Sequence, residues 1–497
     1  MKLFLPLLFS LATLAVATDF QLNLADYAFI DTTINEIQFP RGDSSYNLFY
    51  KKMDSLVFEN KGQVRIIHFG GSHIQADVFS NRVRENLVKR YPGLAAGRGF
   101  VFPYSAARTN TPSSYASYYK GKWDMSKNVL KEITKPLGLL GIAVSTIDPQ
   151  AEVSIFLNQY NSTPIWFFNR IRILGYSDLK DVEPVIIMDS NTYRGKLDSV
   201  NQSYLFDLPR STDSLIVSFK WKDTLKQDSL IRLIKIDSLN KDTAKQKLTQ
   251  VELVAADSMF QDTLILTDSL QGDAHKFTLT GIIVENEHPG ISYTNVGING
   301  AKVQAYLVCP NLQRDLSFFK PDLIIFSIGI NDAHVEFFND QKFQDDYDSL
   351  ITVVKTIAPD AAILFTTNND AFRKGKRKNY IQHPNGEIAR KAFFKMAEKY
   401  EAGVWDLFSI MGGLGSMAKW EKADLAKKDK VHFKSSGYKL LGDLFYDALL
   451  KTYNNHIAYL PAEIPVVKTP PPAEKTPTQK PMLKKPTFEK QTEKTKP

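Results

Sequence analysis

The chain has 497 residues, too many for one ordinary domain and enough for two. Hydrophobic residues make up 43% and charged residues 23%, which excludes a fibrous or wholly disordered polymer and allows a sizeable buried core. The formal net charge is +8, but residues 461–497 hold eight Lys and four Glu and so supply half of it. The remainder has no stripe of Arg and Lys interleaved with aromatics, and nucleic-acid binding is not expected.

In chain order, Lys2 precedes an apolar run from Leu3 to Val16, and Ala15-Val16-Ala17 has the small-x-small form of a signal-peptidase site. Residues 1–17 therefore predict a signal peptide cleaved after Ala17, and a secreted or periplasmic protein. The run is short for a spanning helix, and no cysteine follows it to take a lipid anchor. Cys309 is the only cysteine, so no intramolecular disulfide can form. It stands before Pro310 without a histidine motif beside it and reads as a small buried side chain.

Residues 18–114 open with a lead-in segment that has a helical pattern around Tyr46 to Phe58. Val64 to Phe69 then reads as a strand that ends in Gly70-Gly71-Ser72. Helical periodicity follows from Ala76 to Arg90, through Val78, Val83 and Leu87. Strand, tight turn, nucleophile candidate and helix is the order in which a parallel α/β sheet presents chemistry at its strand ends.

The texture changes over 115–285. Short β-rich runs at Ala151–Leu157, Trp166–Leu174, Pro184–Met188, Ser214–Trp221 and Lys276–Val284 are separated by polar turns. They predict an inserted all-β sandwich. The triplet Asp-Ser-Leu starts at Asp54, Asp213, Asp228, Asp237, Asp268 and Asp348 with irregular spacing, and reads as turn and strand-start usage. Alternating α and β resume over 286–459. Strands are expected at Asp322–Ser327 and Ala361–Thr366, and helices at roughly 340–357, 386–400 and 435–451. Residues 460–497 are rich in Pro, Lys and Thr, with no apolar periodicity, and predict a disordered tail. The cationic tail invites electrostatic contact with an anionic envelope polymer.

Three short motifs fall at or beyond the ends of expected strands. In Gly70-Gly71-Ser72-His73 the glycines allow the turn that would lift a serine oxygen above the sheet edge, although Gly-Gly-Ser alone is an ordinary loop. In Gly329-Ile330-Asn331-Asp332 a side-chain amide could donate to a developing oxyanion, or Asn331 or Asp332 could simply cap a helix. In Asp429-Lys430-Val431-His432 a carboxylate three residues before a histidine can fix its tautomer and stabilise its cation. A fourth segment, Asn295-Val296-Gly297-Ile298-Asn299-Gly300-Ala301, offers a backbone N–H without a side chain in the way.

Together these four segments resemble the sequence blocks of the Ser-Gly-Asn-His, or GDSL-type, hydrolase superfamily. The resemblance implies a three-layer α/β/α, flavodoxin-like hydrolase domain with a parallel sheet, interrupted here by the β sandwich. It implies Ser72, Asp429 and His432 as the catalytic triad, and Ser72, Gly300 and Asn331 as the oxyanion hole. Gly97 or Gly99, in Ala96 to Phe100, competes with Gly300 for the backbone donor. Where relatives carry an aspartate before the serine this chain has Gly71, which puts loop rigidity in question. The layout, with a β module between the first two blocks, resembles bacterial esterases that remove O-acetyl groups from peptidoglycan, whose inserted module is carbohydrate-binding-like. An acetylated glycan is the implied substrate. Neither a metal nor an organic cofactor is expected, since His68, His73 and His334 have no metal-ligand spacing. The same triad could serve an O-acetyltransferase, and a decayed scaffold could serve a non-catalytic glycan-binding envelope protein.

Overall fold

The computed structural model describes residue 24 and residues 26–90, 96–159, 165–221, 275–375 and 379–459. Its central sheet has six strands, in the order Ile37–Gln38, Gly403–Trp405, Ala362–Thr366, Leu323–Ser327, Gln63–Gly70 and Gly290–Gly297. All neighbours run parallel except the edge strand Ile37–Gln38, which pairs antiparallel with Gly403–Trp405. Alternate residues of the inner strands go to opposite faces. Ile67, Phe69, Ile324, Phe326, Ile363 and Phe365 share one core with Phe343, Tyr347 and Phe393. Val64, Ile66, Leu323, Ile325 and Leu364 share the other with Leu56, Phe79, Val83 and Phe445. Burial on both faces is why these strands read as unbroken apolar runs.

The nucleophile segment differs from its expected single helix over Ala76–Arg90. It forms two helices, Ser72–Gln75 and Val78–Arg90, broken at Asp77, whose φ is 58°. The break turns the Asp77 carboxylate back into the protein, where Arg84 Nη2 reaches both of its oxygens at 2.6 Å. The closing helix Ser435–Ala458 runs further than the pattern suggested, because tertiary contacts extend it. Asp54 accepts from Tyr453 Oη and bonds His456 Nε2, each at 2.9 Å, and Tyr50 stacks on the His456 ring. This helix packs against Val78–Arg90, and Arg82 pairs with Asp443 across the contact at 2.6 Å.

Two antiparallel sheets fill the stretch before Gly290. One has five strands, ordered Asn191–Arg194, Val182–Met188, Ser214–Trp221, Glu152–Phe156 and Ala116–Lys120. The other is ordered Lys196–Asp198, Ser203–Thr212, Phe168–Ser177, Phe277–Glu285, Ile142–Thr146 and Asp124–Lys127, with Gly99–Val101 also paired to Phe277–Glu285. Phe219 of the first sheet meets Phe277 of the second, ring centroids 5.0 Å apart. Phe100 meets Phe319 of the α/β part at 5.8 Å. One reading of the sequence is corrected: the Asp-Ser-Leu triplets at Asp54 and Asp348 lie inside helices, Asn47–Glu59 and Asp340–Ile357. There Asp54 and Asp348 serve as acceptors for distant Tyr, His and Lys side chains. The signal-peptide and tail segments lie outside the described residues. Among the described residues no helix is long and apolar enough to cross a membrane.

Candidate active site

The strand Gln63–Gly70 ends at the C-terminal edge of the sheet, and Ser72 opens the short helix beyond it. Ser72 Oγ lies 3.0 Å from His432 Nε2. His432 Nδ1 lies 3.0 Å from Asp429 Oδ2, while Asp429 Oδ1 accepts the backbone N–H groups of Val431 and His432, each at 2.9 Å. The loop that carries both partners is closed by Lys427 N donating to His432 O at 2.8 Å and by a bridge between Ala426 and Phe433. Partial burial pushes the Asp429 carboxyl up, but the two backbone N–H groups and the His432 ring outweigh it and hold the group below its ordinary value. An ionised Asp429 keeps the Nδ1 proton on His432 and leaves Nε2 free to accept from serine.

Asn331 stands at the opposite side of the serine turn. Its Nδ2 donates to Ala301 O at 3.0 Å, and a methyl group on Gly71 would sit 3.2 Å from that nitrogen. Gly71 therefore leaves room for the amide beside the nucleophile. Gly300, with φ of 84°, is in the loop that follows Gly290–Gly297, a conformation that L side chains rarely adopt. That loop borders Gly71 through Ile298 O and Ala301 O. The competing glycines are elsewhere: Gly99 pairs with Val284, and a methyl on Gly97 would sit 2.5 Å from Glu285 Cα. Substituting Asn331→Ala should lower kcat on a small acetate ester by about 10²–10³-fold with little change in KM. A variant that kept more than a tenth of the wild-type kcat would remove Asn331 from the oxyanion site.

The residues that hold this turn were not evident from the sequence. Buried Gln75 accepts from Asn299 N at 2.7 Å and donates to Thr109 Oγ1 and Asn110 O, so one amide ties the serine helix to two loops. Asn295 Nδ2 donates to Ile74 O at 3.1 Å and Arg98 Nη2 donates to Asn295 Oδ1 at 2.7 Å. Asp77 gathers Arg84, Arg98 and Ser114, all buried. These bonds supply the rigidity that Gly71 put in question. No local pattern marks Gln75 or Asp77, since apart from Arg84 their partners come from segments far along the chain. His73 bonds Tyr438 Oη through Nδ1 at 2.6 Å, and its ring lies 5.4 Å from that of His432. Burial first, and then the His432 charge, push it down to about 3, so it stays neutral. His68 is fully buried in its strand, bonded to Tyr293 Oη, and pushed down to about 3 by burial and then by the Arg84 charge. His334 is exposed, its ring 5.3 Å from that of His383. Cys309 is buried, and its thiol is pushed up to about 12 by that burial. Among the described residues no group of three or more His, Cys, Asp and Glu stands at metal-ligand spacing.

The parallel sheet thus carries a Ser–His–Asp hydrogen-bonded chain at its C-terminal edge, and the protein is a carboxylic ester hydrolase. Residues 280–440 match the GDSL-like Lipase/Acylhydrolase family model, a likeness that covers the second part of the α/β sheet with Asn331, Asp429 and His432. A solved structure described as "Peptidoglycan O-acetylesterase in action, 5 min" is similar over 84% of this chain and 99% of its own, at 18% identity and a TM-score of 0.61. A lipase/acylhydrolase from Enterococcus faecalis is similar over 33% of this chain and 77% of its own, at 20% identity and a TM-score of 0.26. No curated protein sequence matches the chain.

Proposed function

We propose that the chain is a secreted serine esterase that removes O-acetyl groups from a glycan, in the manner of a peptidoglycan O-acetylesterase. The observation that carries the reading is the continuous hydrogen-bonded chain from Ser72 through His432 to Asp429. In this reading His432 Nε2 takes the hydroxyl proton as Ser72 Oγ adds to the ester carbonyl carbon. Asp429 stabilises the imidazolium that results. The carbonyl oxygen, now an anion, is met by the N–H groups of Ser72 and Gly300 and by the Asn331 amide. His432 returns the proton to the departing sugar oxygen, then activates water to release acetate from Ser72.

The two antiparallel sheets fit the inserted, carbohydrate-binding-like sandwich of such esterases, and the central sheet fits their flavodoxin-like layering. The fold likeness extends over nearly the whole length of the peptidoglycan O-acetylesterase structure, which supports a glycan polymer over a free lipid ester. Export follows from the segment at Lys2 to Ala17, and the basic tail offers an electrostatic contact with the envelope. The test is acetate release, followed by mass analysis of the glycan, from O-acetylated peptidoglycan and from acetylated xylan. Release from peptidoglycan is the expected result. Hydrolysis of xylan alone would move the substrate away from the cell wall, and release from neither would refute the glycan reading.

A further inference from the structure

The loop that carries Asp429 and His432 is unusually cationic. Lys427 and Lys428 are exposed and Lys430 is half-buried, within six residues of a site whose own chemistry needs no cation. Packed onto this loop is a small hairpin, Phe372–Lys374 paired with Tyr380–Gln382, which the sequence pattern did not reveal. Phe372 N donates to Lys430 O at 3.1 Å, and Asn369 Nδ2 donates to Val431 O at 3.1 Å, so hairpin and loop are one structural unit. The hairpin carries Lys374 on the same strand face as Phe372, on the rim that the loop lysines form, and Arg373 on the opposite face.

Two features separate this rim from an ordinary solvated face. First, it is not neutralised from within. Of the carboxylates between 424 and 434, Asp424 is tied to Lys434 and Asp429 to His432. None of the ion pairs among the described residues involves Arg373, Lys374, Lys427, Lys428 or Lys430. Second, one of the cations is held in place. Lys430 Nζ sits 4.9 Å from the centroid of the Phe372 ring and 6.0 Å from that of Tyr380, against the faces of two side chains that the hairpin presents. Lys427, Lys428 and Lys430, kept within four residues of one loop with Lys374 on the hairpin packed against it, are like charges that repel one another. Such an arrangement is relieved by an anionic partner that shares the site, and it raises the local concentration of that partner.

We infer that this rim recognises carboxylates on the glycan that bears the ester, so that the enzyme selects acetylated polyanions over acetylated neutral sugars. The inference rests on the ester-hydrolase reading of the site and names its substrate class more narrowly. The carboxylates could belong to the sugars themselves or to peptides attached to them, and both place negative charge within reach of the rim.

The experiment compares the full-length enzyme on acetylated polygalacturonate, O-acetylated peptidoglycan and acetylated cello-oligosaccharides, at low and at high salt. The kcat/KM on the two anionic substrates should exceed that on the neutral one at low salt, and the advantage should shrink as salt screens it. In Lys427→Glu/Lys428→Glu the ratio of anionic to neutral kcat/KM should fall by about tenfold at low salt. Lys374→Glu, on the separate hairpin, should lower the same ratio and serves if the loop variant does not fold. Preference for polygalacturonate alone would assign the contact to sugar carboxylates, and preference for peptidoglycan alone to peptide carboxylates. Equal turnover of anionic and neutral substrates, insensitive to salt and to both charge reversals, would overturn the inference and leave the esterase reading standing. Absence of turnover on every acetylated substrate would sink the esterase reading and this inference with it.

Discussion

Ser72→Ala is expected to lower kcat/KM on p-nitrophenyl acetate by about 10⁴-fold or more. In the proposed mechanism the serine oxygen is the only atom of the triad that bonds to the substrate carbon, so no neighbour can replace it. His73, the next residue, is neutral and turned to Tyr438. The unfolding transition should hardly move, because Ser72 is half-exposed and the bonds that hold its turn come from Gln75 and Asn295. The measurement is steady-state kinetics beside a thermal melt. A variant that remains active, with a fresh preparation free of wild type, would rule out Ser72 as the nucleophile.

Asp77→Asn should have the largest effect on stability. Asp77 is fully buried and is the carboxylate partner of both Arg84 and Arg98, themselves buried. Asparagine keeps the shape and removes the charge, leaving two guanidiniums in the interior without their counter-ion. Loss of one member of such a buried group typically costs about 3–5 kcal/mol. The effect should also depend on pH in a defined direction. Burial alone would push the Asp77 carboxyl up, but the charges of Arg84 and Arg98 and the bonds from Arg84 and Ser114 reverse this and hold it below its ordinary value. A carboxyl depressed in the folded state contributes stability above its unfolded value of about 4. It loses that contribution as pH falls through the folded value. Urea unfolding of wild type and Asp77→Asn should therefore differ most near neutral pH and converge in acid. A difference under about 1 kcal/mol at neutral pH, or one that does not change in acid, would show that the cluster is not held by charge.

How far this could be read from the sequence depended on where each residue finds its partners. Asp429 and His432 are bonded within one loop, so their spacing alone carries the geometry. The strands Gln63–Gly70, Leu323–Ser327 and Ala362–Thr366 are buried on both faces, and their apolar runs say so without reference to neighbours. The break at Asp77 is different. Val78, Val83 and Leu87 all lie beyond it and mark only the second helix, and Arg98 and Ser114, more than twenty residues on, help to reveal why the backbone turns there. Gln75 and the Phe372–Gln382 hairpin were hidden for the same reason, and so was the two-residue edge strand at Ile37. Asp54 and Asp348 looked like turn residues because aspartate favours turns. Their acceptor roles toward Tyr453, His456, Lys399 and Tyr400 kept them in helices instead.

The position of the Gln63–Gly70 strand has a consequence for how the enzyme comes into being. It lies inside the sheet, yet its two neighbours are Gly290–Gly297 and Leu323–Ser327, which follow only after both antiparallel sheets have been traversed. As the chain emerges from the ribosome, the strand before the serine turn has neither neighbour to pair with until more than two hundred further residues have been made. Such high contact order slows folding, because loop closure must precede the pairing that rewards it. It also means that competence arrives late and all at once, with the closing loop at His432 supplying the base. A chain released only as far as Gly70 to Ser72 holds the serine turn without its partners, and the candidate centre is complete only after His432 has been made.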